Sequence, residues 1–74
     1  MTTRELTILV ITYLVSRGYS LSFRKSKSSN SYYIDFRKPK TSIRISDHLQ
    51  EDRKTPEIHV LNWSDMYKVY EKYA

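Results

Sequence analysis

The sequence predicts an α+β domain: a three- or four-stranded antiparallel sheet with an N-terminal and a C-terminal helix packed on one face, in the order α-β-β-β-(β)-α. Three observations predict it. A helical apolar stripe opens the chain, three segments then alternate apolar and polar residues with period two, and a second helical stripe closes it. With 74 residues, positions 1–74 make a single domain near the size at which one core barely sustains a fold.

Thr2-Thr3-Arg4-Glu5 has the form of a capping box, with Thr2 as N-cap and Glu5 three residues on. From Thr3 to Arg17, Leu6, Val10, Tyr13 and Leu14 form one stripe, which Ile8, Ile11 and Val15 widen to nearly the whole circumference. Five β-branched residues between positions 7 and 12 favour a strand instead. The capping box and Gly18, placed as a left-handed C-cap, decide for a helix with an apolar side to spare.

Three strands follow. Tyr19, Leu21 and Phe23 share one face of the first; Tyr32, Ile34 and Phe36 share one face of the second, with Tyr33, Asp35 and Arg37 opposite. Ile43 and Ile45 alternate with Ser42, Arg44 and Ser46 in the third. The polar connections between them have hairpin length, so an antiparallel meander with one buried and one wet face is expected. Residues 49 to 56 read as a charged loop, and residues 57 to 61 as a fourth strand or an extended lead into the last helix. Asn62 to Asp65 offers an N-cap, and Met66, Val69, Tyr70 and Tyr73 form the closing stripe.

Composition narrows the function classes. There is no cysteine, and the two histidines have no metal-ligand spacing around them, so no disulfide, metal or cofactor is expected. The apolar run LTILVITYLV is half the length of a membrane span and lacks a signal peptide's flanks, which points to a soluble, cytoplasmic protein. The net charge of +5 is concentrated: between positions 24 and 44, Arg24, Lys25, Lys27, Arg37, Lys38, Lys40 and Arg44 face only Asp35. Clustered charge of this kind creates a field that steers anions. Tyr33, Arg37 and Arg44 share the solvent side of their strands, placing an aromatic ring among cations, as phosphate binding and base stacking require.

Asp47-His48, just past the third strand, raises a catalytic reading. Adjacent residues in a strand point to opposite faces, so these side chains meet only if the chain turns; the expected role of Asp47 is to cap backbone amides there. His59, flanked by Ile58 and Val60, is expected on the opposite face from both. If the third and fourth strands are neighbours, His48 and His59 form a two-histidine acid–base pair.

The element order resembles two known small folds, the double-stranded RNA-binding domain and the HicA-type toxin, an RNA-cleaving partner of an antitoxin. The first resemblance implies a lysine cluster at the start of the second helix, where this chain reads WSDMYKVY with Asp65 in place of a cation. The segment TRELTILVITYLVSRGYSLSFRK is similar to the first helix, glycine–aromatic junction and first strand of the HicA family. That family's catalytic histidine belongs to a Gly-Ser-His stretch entering the second strand, where this chain has Ser28-Ser29-Asn30-Ser31-Tyr32. These resemblances therefore imply architecture and carry over no catalytic or RNA-contacting residue. SNSYYIDF with SIRISDH is also similar to segments of small proteins of tailed phages and mobile elements, which implies a phage or element protein acting in a host cytoplasm.

The expected function is a non-enzymatic binding protein. It would meet nucleic acid, or a nucleic-acid-handling host complex such as a defence nuclease that it inhibits, through Arg24, Lys25, Lys27, Tyr33, Arg37, Lys38, Lys40 and Arg44. Two alternatives stand beside it. One is an RNA-cleaving toxin using His48 with His59; the other is a structural protein dimerised through its over-apolar first helix.

Overall fold

The computed structural model describes residues 1–27, 29–37, 41–48 and 58–74. Helix α1 spans Thr3–Ser16 and is followed by strands β1 (Leu21–Lys25), β2 (Ser31–Phe36), β3 (Ser42–Ser46) and β4 (Ile58–Val60). A 3-10 turn, Trp63–Asp65, leads into helix α2 (Met66–Lys72).

The capping box sets the start of α1. The Glu5 N–H donates to Thr2 Oγ1 at 3.1 Å, and the Thr2 N–H to Glu5 Oε1 at 2.9 Å. Hydrogen bonding from Thr2, its backbone N–H first and then its side chain, holds the Glu5 carboxyl below its usual range. The β-branched residues that argued for a strand are accommodated. Thr7 and Thr12 donate their hydroxyls to the carbonyls of Thr3 and Ile8, one turn back, at 2.8 and 2.7 Å. At the other end Gly18 has φ +87°, Gly18 N–H donates to Val15 C=O at 2.9 Å, and Tyr19 N–H reaches Leu14 C=O at 3.1 Å. That pair of bonds is a Schellman ending, which needs the left-handed residue that glycine supplies.

The strands form one sheet in the order β1-β2-β3-β4. β1 with β2 and β2 with β3 are antiparallel, as the meander requires. The fourth strand exists, and it runs parallel to β3, so the sheet is mixed. The direction of so short a strand is not written in its own alternation, because both directions put Ile58 and Val60 on the same face.

One face carries the core. Leu6, Val10 and Leu14 of α1, and Met66, Val69 and Tyr73 at α2, are buried against Ile34, Phe36, Ile43, Ile45, Ile58 and Val60. An aromatic cluster closes the lower end: Phe36 stacks on Tyr73 with centroids 5.0 Å apart, and Tyr19 meets both edge-on at 6.0 and 5.2 Å. Tyr13 joins α1 to α2, its ring 4.7 Å from Tyr70 and its hydroxyl donating to the Tyr73 carbonyl at 3.3 Å. Phe23, on the same face by alternation, stays exposed because α1 and α2 lie over the other three strands. Among the described residues, no helix is long and apolar enough to cross a membrane.

Ile45 is fully buried and Phe23 is not, so truncation separates them. Ile45→Ala is expected to cost about 2–5 kcal/mol, and Phe23→Ala within about 0.5 kcal/mol of zero. Urea unfolding of the two variants measures the difference.

Candidate functional site

The face opposite the helices is built by the residues that alternate with the core. The register sets Tyr33 beside Arg44, Arg44 beside His59, and Ser31 beside Ser46. Arg44 therefore lies beside Tyr33 as its position in the alternation predicts. It is not, however, a surface cation: it is 2% exposed, while Ser31 and Ser46 are fully buried.

A guanidinium carries five N–H donors and no acceptor, so every group that faces it must accept. One terminal nitrogen of Arg44 lies 2.9 Å from His59 Nε2 and 3.4 Å from the His48 carbonyl. The other lies 3.2 Å from Ser31 Oγ and 3.3 Å from His48 Nε2. Both imidazoles thus present an unprotonated Nε2 to Arg44 and carry their proton on Nδ1. His48 fits this assignment, since its Nδ1 is 2.8 Å from Asp47 Oδ1, where the ring N–H donates to the carboxylate. The Ser46 hydroxyl donates its proton to the His48 carbonyl at 2.7 Å, and its oxygen also lies 2.8 Å from His59 Nε2. Nε of Arg44 is buried and has no hydrogen-bond partner among the described residues. No carboxylate among those residues pairs with this cation; neutral acceptors surround it.

Asp47 and His48 do meet, because β3 ends at Ser46 and the chain bends immediately after it. Among the described residues Asp47 makes two side-chain bonds; the amides of residues 49 and 50, which it is expected to cap, lie outside them. Its other oxygen accepts from Asn30 Nδ2 at 3.0 Å, and that same amide reaches Thr3 Oγ1 at 3.3 Å. The His48 ring, and then Asn30, hold the Asp47 carboxyl below its ordinary range. His59 lies opposite Ile58 and Val60 as its neighbours imply, and β3 and β4 are adjacent, so both histidines do gather at one place. Arg44 stands between them. Burial first, and then the Arg44 charge, push the His59 imidazole down from its usual value.

The remaining cations form a separate surface. Arg24 lies over the Tyr33 ring at 4.4 Å and donates from Nε to Asp35 at 3.0 Å. Lys25 points to the helix side, 5.8 Å from the Tyr32 ring. Lys27, in the β1–β2 turn, and Arg37, just past β2, are exposed. Lys38 and Lys40 lie outside the described residues. Sequence reading missed Ser31, Ser46 and Asn30 as members of the Arg44 cluster. The available signal was two small serines in strand positions of the same parity as an arginine. Among the described residues, no group of three metal-binding side chains is present.

Comparison with protein-family models, with curated proteins and with solved structures yields no match.

The cluster sets two expectations. Arg44→Leu strips its acceptors of their donor and is expected to cost on the order of 2–3 kcal/mol, against about 0.5 or less for Arg37→Leu, by urea unfolding. Stability is also expected to depend on pH. The folded state holds His59 below its unfolded value, so the unfolded chain binds the proton more readily. The contribution is complete above about pH 6.5 and is lost as pH falls through the folded pKa. His59→Gln keeps an acceptor that does not titrate, and its urea midpoint should fall less than that of the wild type between neutral and mildly acid pH.

Proposed function

We propose that this chain is a non-enzymatic nucleic-acid-binding protein that uses the exposed cations of its β1–β2 hairpin. The observation that carries this reading is the charge pattern there. Arg24, Lys25, Lys27 and Arg37 are exposed, and Asp35, the only acid between Glu5 and Asp47, is already engaged by Arg24. The field of the hairpin is therefore positive with little local compensation, the condition for attracting a phosphate backbone. Arg24 adds a planar group held in place from two sides, by the Tyr33 ring beneath it and by Asp35 at Nε. A guanidinium so fixed suits stacking against an unpaired base. Arg44 leaves the contact surface because it is buried.

The setting this implies is a phage or mobile element, with nucleic acid or a host complex that handles it as the partner. That setting rests on the resemblance of SNSYYIDF and SIRISDH to segments of small phage proteins. Against RNA cleavage stands the use of the ring nitrogens. Nε2 of both His48 and His59 faces Arg44, and Nδ1 of His48 faces Asp47, whereas a general base needs a nitrogen aimed at substrate.

Fluorescence anisotropy with labelled single-stranded and duplex DNA and RNA tests the reading. Affinity should fall steeply with salt, and the triple variant Lys25→Glu, Lys27→Glu, Arg37→Glu should lose at least about tenfold. Failure of the wild type to bind any of these at low salt refutes nucleic acid as the partner.

A further inference from the structure

We propose that β1 is a docking edge for a second copy of this chain, which extends the sheet across a two-fold axis at Phe23. β1 is an outer strand, with β2 on one side and, among the described residues, no strand on the other. The hydrogen-bond phase shows which of its backbone groups are open. Ser26 N–H donates to Ser31 C=O at 2.9 Å, and bonded pairs in an antiparallel ladder recur every second residue. Arg24 with Tyr33, and Ser22 with Asp35, therefore bond across to β2. The N–H and C=O groups of Leu21, Phe23 and Lys25 point the other way, out of the sheet. The bond from Phe36 N–H to Thr41 C=O, on the β3 side of β2, has the same phase. Among the described residues these three backbones find no other partner.

The side chains of the same three residues lie on the helix face, since Phe23 is opposite Ile34. There Phe23 is 60% exposed. α1 packs on β2 and β3, and α2 on β4, with Tyr13 and Tyr70 between the helices. At 3.6 residues per turn, Ile11 lies on the flank of α1 turned away from Tyr13, and Val15 and Ile8 lie farther round, nearly opposite the buried Leu6–Val10–Leu14 stripe. Ile8 and Val15 are 54% and 56% exposed. An open ladder with an uncovered phenylalanine at its centre thus runs along one side of the molecule. Exposed edges are ordinarily blunted by charge; β1 has Arg24 and Lys25 at one end but carries phenylalanine at its centre.

A second copy fits the edge by symmetry. Antiparallel pairing about Phe23 sets Phe23 opposite Phe23, Leu21 opposite Lys25, and Ser22 opposite Arg24. Every outward N–H and C=O then meets one from the other copy, and no like charges stand directly opposite. The two phenylalanines cover each other. The Arg24–Asp35 pair is left intact. The arrangement also brings Arg37 of one copy towards Lys25 and Lys27 of the other, merging basic clusters that a single copy holds at opposite ends of its sheet. That merging opposes pairing at low ionic strength, so added salt should strengthen the dimer. The proposal does not depend on nucleic-acid binding and is tested without nucleic acid.

Sedimentation equilibrium of the full chain, from micromolar to millimolar protein at moderate salt, should show mass doubling with concentration. Amide exchange at Leu21, Phe23 and Lys25 should slow severalfold as the dimer fills, while Ser22 and Arg24, already bonded to β2, change little. Phe23→Lys, and Phe23→Pro, which removes an outward N–H only, should keep the wild-type circular dichroism spectrum and lose the dimer. A monomer at every concentration overturns the proposal. So does a dimer that survives both variants without new protection at those amides, or one that Val15→Lys abolishes and Phe23→Lys does not.

Discussion

An arginine side chain cannot shed its charge at physiological pH, and this protein buries one at the centre of its sheet. The rest of the non-helical face is arranged around that constraint. β2 supplies Ser31, β4 supplies His59, and the bend after β3 turns the His48 ring and carbonyl back towards the guanidinium. Each contributes an acceptor, and none of the four brings a formal negative charge. Among the described residues the cation is therefore held by hydrogen bonds to neutral groups, and the Arg44 charge in turn helps to hold the His59 imidazole below its usual pKa. Asp47 acts one step removed, by fixing the proton of His48 on the nitrogen that faces away from Arg44.

The same strands serve this cluster and the apolar core. β3 alternates Ile43 and Ile45 with Arg44 and Ser46, and all four are buried. A strand in that position has no wet face, although its sequence alternates as though it had one. The parallel placement of β4 contributes directly. It sets Ile58 and Val60 beside the isoleucines on one side and His59 beside Arg44 on the other. Two buried layers thus share a single three-residue strand, and the polar one is specified by hydrogen-bond geometry as closely as the apolar one is by packing.

Charge and shape divide the molecule across the sheet. The β3–β4 half uses its arginine internally. The β1–β2 half leaves its cations at the surface, with Phe23 and three backbone sites open along its edge. Both proposed binding roles, for nucleic acid and for a second copy, fall on the outer hairpin, whereas the Arg44 cluster ties β2, β3 and β4 together by hydrogen bonds.

Period and capping chemistry are local, and they were legible in the residues. The capping box at Thr2 and Glu5, the glycine ending at Gly18, the alternations of β1 to β3 and the Met66–Val69–Tyr73 stripe all follow from neighbours a few positions apart. Alternation also placed Arg44 on the face of Tyr33, and His59 opposite Ile58 and Val60. What alternation does not carry is whether a face is covered. Only the tertiary structure decided that β4 runs parallel to β3, that Asn30 reaches Asp47 across the sheet, and that Arg44 is enclosed. Those outcomes depend on which distant segments arrive beside one another. Burial of a side chain is a property of that arrangement rather than of the residue itself.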